Sequence, residues 1–380
     1  MVLTKTQQEI AQAVRAYAQG SIRPRARAFE EAGGYPSELL LELGAMGLMG
    51  LTAPERYGGA GADYVAYALA LMEIAAADGA LSTILSIQNS ILVSGIIRFG
   101  TAAQIERLLP GLIRGETIGA FALTEAAAGS DAAAIRTRAT PVDGGWRIDG
   151  DKQFITSGKI AGLLLLVAVS DPRAGKKGLT CFLVPTGRVG YSVTAVEKKL
   201  GQRASDTCAL HFEGLFVEDE LVLGAVGDGY RIALANLEAG RIGIAAQSVG
   251  MAQAALDIAI PYARERSSMG QRIIDHQAVG FRLADLVTRN EAARQLVLHA
   301  ASKKDAGEDC LLEASMCKLF ASGVAEEVVS GALQTLGGYG YVEDYQIEKI
   351  YRDVRVCQIY EGTSDIQRMV IARALAAGRD

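Results

Sequence analysis

Apolar residues recur at helical spacing through the first third of the chain. Residues 7–28, 38–46, 65–77, 81–97 and 103–113 follow this pattern and predict amphipathic helices. Gly33-Gly34-Tyr35-Pro36 and the stretch from Ala53-Pro54 to Gly58-Gly59 punctuate them. From residue 118 the texture changes. Short β-branched or alternating runs at 118–123, 137–140, 146–149, 164–169, 180–185 and 208–217 predict strands of a small antiparallel β domain. Val142-Asp143-Gly144-Gly145 and residues 173–178 read as turns between them. After Gly227-Asp228-Gly229 the helical pattern returns, at 230–266, 275–305, 310–336 and 364–377. Long apolar-faced helices with short joints predict a bundle. The expected fold is mainly α with a β middle domain: an N-terminal all-α domain (1–117), a middle β domain (118–226) and a C-terminal helical bundle (227–380).

Composition sharpens this picture. The 380 residues are 50% hydrophobic but only 6% aromatic, and mean hydropathy is +0.19. The surplus is Ala, Leu, Ile and Val, which fill packed helices and predict helices buried against other subunits. A net charge of −5 argues against a general nucleic-acid binder, which carries a basic stripe. The apolar run from Leu163 to Val169 falls far short of the about 20 residues a membrane span needs, so no span is expected. Met1-Val2-Leu3-Thr4-Lys5 does not open a secretion signal, so the expected location is cytoplasmic. The five cysteines lack CxxC spacing and read as buried small hydrophobes. His211, His276 and His299 lie too far apart for a zinc site. No strand-GxGxxG-helix unit appears, which disfavours a nicotinamide cofactor.

Four segments can carry chemistry, and each also has a plainer reading. Phe121-Ala122-Leu123-Thr124-Glu125-Ala126-Ala127-Ala128-Gly129-Ser130-Asp131 leaves a strand and becomes a loop of small residues. Such a loop lets backbone N–H groups approach a planar, oxygen-rich ring, with Thr and Ser hydroxyls as added partners. An ordinary strand-to-loop turn fits the same residues. Asp151-Lys152-Gln153-Phe154-Ile155-Thr156-Ser157-Gly158 offers an aromatic face ahead of a hydroxyl pair, or a hairpin core residue with a polar turn. Arg266-Ser267-Ser268-Met269-Gly270, with His276-Gln277 and Gln334-Thr335-Leu336-Gly337-Gly338, combines an Arg with exposed backbone N–H groups. That combination suits a pyrophosphate, although surface Arg and helix-ending glycines look alike. Ile359-Tyr360-Glu361-Gly362-Thr363-Ser364-Asp365 places a carboxylate before a glycine and a helix cap. A Glu in an apolar loop has a raised pKa and suits general-base work; a solvated loop acid has the same letters.

Together, in this order and spacing, the segments resemble the acyl-CoA dehydrogenase flavoprotein family over nearly the whole chain. The stretch from Leu123 to Asp131 and the set Gln334, Gly337, Gly338, Gly340, Tyr341, Asp344, Lys349 and Asp353 carry the resemblance. Lys199-Leu200-Gly201-Gln202-Arg203 and Glu238-Ala239-Gly240-Arg241 fit further family blocks. The resemblance is to the branch with its catalytic Glu in the C-terminal loop, short- or medium-chain or branched-chain-like.

The resemblance implies an N-terminal helical domain, a middle β domain and a C-terminal four-helix bundle. It also implies a homotetramer built as a dimer of dimers, with FAD near the dimer interface. Phe121, Leu123, Thr124, Gly129, Ser130, Phe154, Ile155 and Thr156 would hold the flavin. Arg266, Ser268, His276, Gln277 and the backbone of Gln334, Gly337 and Gly338 would hold the adenosine diphosphate, partly across the interface. Thr363 and Asp365 would complete the cofactor site; Ser130, Glu238, Arg241, Tyr360 and Gly362 would face the substrate. Glu361 would be the base. Isovaleryl-type members use a Glu directly before the Arg of the helix block, and here that position is Gly240.

The implied reaction takes an acyl-CoA to its trans-2-enoyl thioester. Glu361 removes the α-proton, flavin N5 accepts the β-hydride, and electron-transferring flavoprotein takes the electrons. Departures from the family are Met269 for a common Phe, Phe154 for a frequent Trp, and Ala126-Ala127 for Pro-Gly. One alternative is a dehydrogenase acting on an acyl-carrier protein, with Lys176, Lys177, Lys198 and Lys199 as candidate contacts. Others are a flavin oxidase on the same fold and a catalytically silent scaffold.

Overall fold

The computed structural model describes residues 1–378. Helices α1 (Lys5–Tyr17), α2 (Ala26–Ala32), α3 (Ser37–Ala45), α4 (Tyr64–Ala77), α5 (Gly79–Ile87), α6 (Ser94–Phe99) and α7 (Ala102–Ile113) precede the first strand. Thr4 with Gln7 and Thr101 with Gln104 form reciprocal capping boxes that start α1 and α7. Asp78 breaks the long apolar stretch into α4 and α5: its backbone is extended and its carboxylate accepts from Ala80 N–H at 2.9 Å. Between α5 and α6 the helix widens into π geometry over Gln88–Val93.

The middle region is a sheet of β1 (Gly119–Ala122), β2 (Arg138–Val142), β3 (Gly145–Thr156), β4 (Leu163–Val169), β5 (Leu179–Pro185), β6 (Tyr191–Val196), β7 (Thr207–Glu218) and β8 (Val222–Leu223). The order is β6-β7-β3-β2-β4-β5-β8, with β1 on β4. Most pairs are antiparallel, as expected, but β1 and β2 run parallel to β4. β1 arrives from the helical region rather than through a hairpin, so nothing forces it to reverse. The sheet also departs from the expected strands. Edge strand β6 is almost entirely exposed; only Tyr191 is partly buried, packed against the second core. β3 extends past the expected 146–149 to Thr156, with register shifts after Ile148 and after Lys152.

The chain then forms α8 (Gly229–Glu265), a short hairpin of β9 (Ser267–Ser268) and β10 (Gln271–Arg272), α9 (Gln277–Asp305) and α10 (Leu311–Leu336). After α10 come α11 (Gly338–Tyr341), α12 (Ile347–Val354) and α13 (Ser364–Ala376). The three sequence textures pack around two hydrophobic cores. Val14, Tyr67, Leu71 and Ile84 share one core with Ile242, Val249, Val297 and Val328, so α4 and α5 lie against the bundle. The second core joins α7 and the π turn to the sheet. The stretches Gly79–Phe99 and Gly229–Glu265 are long and apolar enough to resemble membrane spans, yet 89% and 83% of their apolar windows are buried within the fold. All five cysteines are buried and unpaired, as expected.

Candidate active site

Glu361 sits in a tight turn between Tyr360 and the cap of α13. Its φ is +52° and that of Gly362 is +91°, both in the left-handed region. A Cβ at Gly362 would meet Gln367 Nε2 at 2.7 Å and displace that amide, while the positive φ by itself favours glycine. The turn aims the Glu361 carboxylate at α8, where a Cβ on Gly240 would overlap Oε2. Oε2 is sealed from solvent and has no hydrogen-bond partner in the protein. Burial raises the carboxyl to about 7, against the pull of Lys318 and Arg241. A proton acceptor poised near neutrality, with a free lone pair in a dry site, is the requirement for general-base work.

The neighbours of Glu361 are partly those expected. Arg241 is buried, donates to Ser315 Oγ at 3.2 Å and leaves Nε unpaired. Glu238 accepts from Lys304 at 2.9 Å and from the Cys310 thiol at 3.4 Å, so its carboxylate is already held by the protein. The Tyr360 hydroxyl donates to Gln247 and lies 3.3 Å from Gln202 Nε2 and 3.4 Å from Thr83 Oγ1. Its hydroxyl is therefore committed to the protein, and its ring borders a cleft of about 280 Å³ shared with Thr156, Lys199 and Gln202. Thr363 caps α13 by accepting from Ile366 N–H, while exposed Asp365 pairs with Arg368.

The sheet supplies a second surface. Phe154 is 61% exposed with φ +59°, because the irregularity in β3 after Lys152 turns it out of the ladder while Ile155 stays buried. The hairpin-core reading of this segment therefore fails for Phe154. Leu123 is buried, Phe121 and Thr124 are half-buried, and Gly129 and Ser130 are exposed on the loop beside them. The device that fixes this loop was not singled out from the sequence. The Glu125 carboxylate accepts from Arg136 N–H at 2.7 Å, Thr137 N–H at 2.9 Å and buried Lys152 at 2.8 Å. Lys152 also donates to the Leu123 carbonyl at 2.8 Å. Burial of Lys152 lowers its pKa to about 8 despite the Glu125 partner.

A third group gathers at the far end of α8. Arg266, Gln334, Gly337 and Gly338 line a groove of about 570 Å³ with Tyr262 and Tyr339. The Arg266 guanidinium lies over the Tyr339 ring, 5.9 Å from its centroid. Ser268 sits on the β9–β10 hairpin, whose turn residues Met269 and Gly270 have φ +50° and +83°. Its carbonyl lies 3.1 Å from His276 Nε2, and Gln277 begins α9 next to it. The groove and the cleft beside Thr156 share no lining residue.

Three family domains match the chain in the order of these regions: acyl-CoA dehydrogenase N-terminal domain (residues 4–116), middle domain (120–215) and C-terminal domain (227–376). The chain belongs to the acyl-CoA dehydrogenase family. It is 43% identical over 378 residues to an acyl-CoA dehydrogenase of Bacillus subtilis, covering 100% of both chains. It is 41% identical to a 3-(aryl)acrylate reductase of Clostridium sporogenes, covering 99% of this chain and 100% of that one. It superposes on butyryl-CoA dehydrogenase from Megasphaera elsdenii with a TM-score of 0.96 at 38% identity, covering 99% of each chain.

Among the acyl-CoA dehydrogenase residues, two supports of the Glu361 corner went unrecognised in the sequence. Gln202 has φ +49° and is buried; its backbone N–H donates to Asp353, and its side chain accepts from Thr83 Oγ1 at 2.7 Å. Asp353 in turn holds Lys349 at 2.6 Å, which also lies 3.4 Å from Asp78. This buried chain ties the α4–α5 junction to the loop before Arg203 and to Tyr360. The other support is Lys318. It stands on the apolar stripe of α10 with Ala314, Ala321 and Ala325, and a lone lysine on such a stripe is a signal legible in the sequence.

Proposed function

We propose that this protein is an FAD-dependent dehydrogenase of an acyl-CoA, with Glu361 taking the α-proton. The seat of Glu361 carries the reading: a carboxylate in a left-handed turn, against Gly240, raised to about 7 and without a partner on Oε2. Gly240 stands where an alternative base would come from α8, and the Glu361 carboxylate occupies the space a side chain there would need.

The residues present fit FAD. Phe154 offers an outward aromatic face beside Thr156, and the small-residue loop at Gly129 and Ser130 lies open. The groove of Arg266, Gln334, Gly337 and Gly338 has the aromatic and backbone character that an adenosine diphosphate needs. FAD, when bound, supplies the acceptor for the β-hydride. The protein does the rest. The Glu361 backbone N–H is the donor assigned to the thioester carbonyl, where charge develops as the α-proton leaves. The acyl chain excludes water from the carboxylate, which strengthens that hydrogen bond and holds the proton on Glu361. The product is the 2-enoyl thioester.

The exposed apolar residues Met269, Phe281 and Tyr341 support assembly into a homotetramer, with each nucleotide groove completed by a neighbouring subunit. Electron-transferring flavoprotein is the acceptor assigned to the reduced cofactor, in the cytoplasm. The carrier-protein alternative is less well supported. Lys199 turns inward to the Ser205 carbonyl at 2.6 Å, and Lys176, Lys177 and Lys198 lie on exposed loops, Lys176 over the Tyr230 ring.

The test is purification followed by a flavin absorbance spectrum and turnover of straight, branched and aryl acyl-CoAs with an electron-accepting dye. Flavin absorbance and α,β-desaturation of at least one acyl-CoA are expected. A colourless protein that takes up no FAD would end this reading.

A further inference from the structure

Lys318 is fully buried (0% exposed) on the inner face of α10. Its ammonium donates to the Gly362 carbonyl at 2.7 Å, and Gln367 Nε2 donates to the same oxygen at 2.9 Å. The carbonyl so clamped belongs to the turn in which Glu361 and Gly362 both take positive φ. A buried ammonium ordinarily faces a carboxylate directly. Here the hydrogen bond goes to a neutral carbonyl, and the charge stands behind a carboxylate with an unpaired buried oxygen.

The other groups around this pair come from every packed element. Arg241 faces it from α8, with Glu238 acting on Arg241 behind, Tyr67 from α4 and Cys357 from the turn after α12. Arg241 is bonded to Ser315, Glu238 to Lys304, and the Tyr67 hydroxyl lies beside Ser86. The Cys357 thiol is raised by burial and stays neutral.

We propose that Lys318 is a positioning residue for the reaction. Through the Gly362 carbonyl it holds the turn that seats Glu361 against Gly240, and its charge favours the ionised, proton-accepting form of that base. The inference rests on Glu361 being the base. Burial lowers Lys318 to about 8 and raises Glu361 to about 7, and each group's charge pulls the other towards its ionised form. The clamp and the charge are separable. Lys318→Gln keeps a donor and loses the charge; Lys318→Met loses both.

The experiment measures FAD content, kcat/KM against pH, and the infrared titration of the Glu361 carboxyl, identified by its absence in Glu361→Gln. In both lysine variants the acid limb and the carboxyl titration should move up by about one pH unit, because a facing positive charge is gone. The high-pH plateau should fall only in Lys318→Met, by about tenfold, through misplacement of the turn. A folded, FAD-loaded Lys318→Gln with both titrations unmoved overturns the proposal. So does failure of both variants to fold, since a positioning role leaves the fold standing. Wild-type turnover in Glu361→Gln would instead remove the base itself, whatever the lysine variants do.

Discussion

The corner around Glu361 and the groove around Arg266 are built on opposite principles. In the corner the polar groups lie inside one chain: Arg241 and Lys318 are buried, and the Glu361 carboxylate has no solvent on Oε2. In the groove Arg266, Ser268 and Gln277 are exposed, and Met269 beside them is 93% exposed. A reacting carboxylate needs desolvation to rise towards neutrality, and one subunit's packing provides it. A nucleotide's charged half needs reach and hydrogen bonds, and a surface can provide those until a neighbour covers it. On the proposed assignment, the contrast separates chemistry from cofactor retention.

Variants can break that separation in order of expected effect. Glu361→Gln is nearly isosteric and cannot accept the proton; kcat should fall by about 10²–10⁴-fold with FAD content unchanged. Loss of FAD in this variant would show that the corner and the cofactor site are one unit. Gly240→Ala places a methyl where Glu361 Oε2 lies, so the base must move. A displacement of this kind should cost about 10²-fold in kcat, again with FAD retained. Arg266→Ala should do the reverse. It should weaken FAD binding by about tenfold, measured by flavin release on dilution, with kcat restored at saturating FAD.

The smallest effect is on stability, and its sign follows from the raised carboxyl. Between the ordinary carboxylate range and about 7, the unfolded chain releases the Glu361 proton while the folded chain keeps it. Folding stability therefore declines as pH rises through that window and levels off above it. Glu361→Gln removes the penalty. Its melting temperature should exceed wild type by a few degrees near pH 8 and match it near pH 4. Equal melting curves at both would place the carboxyl in water.

Much of the architecture was legible because its causes are local. The apolar periodicity of 7–28 and 103–113 announces helices there, and Val142-Asp143-Gly144-Gly145 marks the β2–β3 turn. The bundle helices show long apolar stripes. Strand β6 was not expected although Tyr191, Val193 and Ala195 alternate with Ser192 and Thr194, because the run is short, lies at the sheet edge and is almost wholly exposed. The short helix α12 was missed because its buried stripe includes Lys349 and Asp353, which satisfy each other rather than water. The Glu361 turn could be picked out as an acid before a glycine. Its seating against Gly240 and Lys318 could not, because those residues lie far from it in the chain and only folding brings them together.

The sequence by itself determined the order of helical, sheet and helical regions, the presence of an acid before Gly362, and the absence of a side chain at Gly240. These depend on periodicity and on the identity of single residues. Only the tertiary structure decided that α4 and α5 share a core with the bundle, that Phe154 turns outward, and that Glu361 Oε2 is sealed from solvent with Lys318 behind it. Desolvation and long-range charge are properties of what surrounds a group, and here the surroundings come from α8, α10 and α4, each remote in sequence from residue 361.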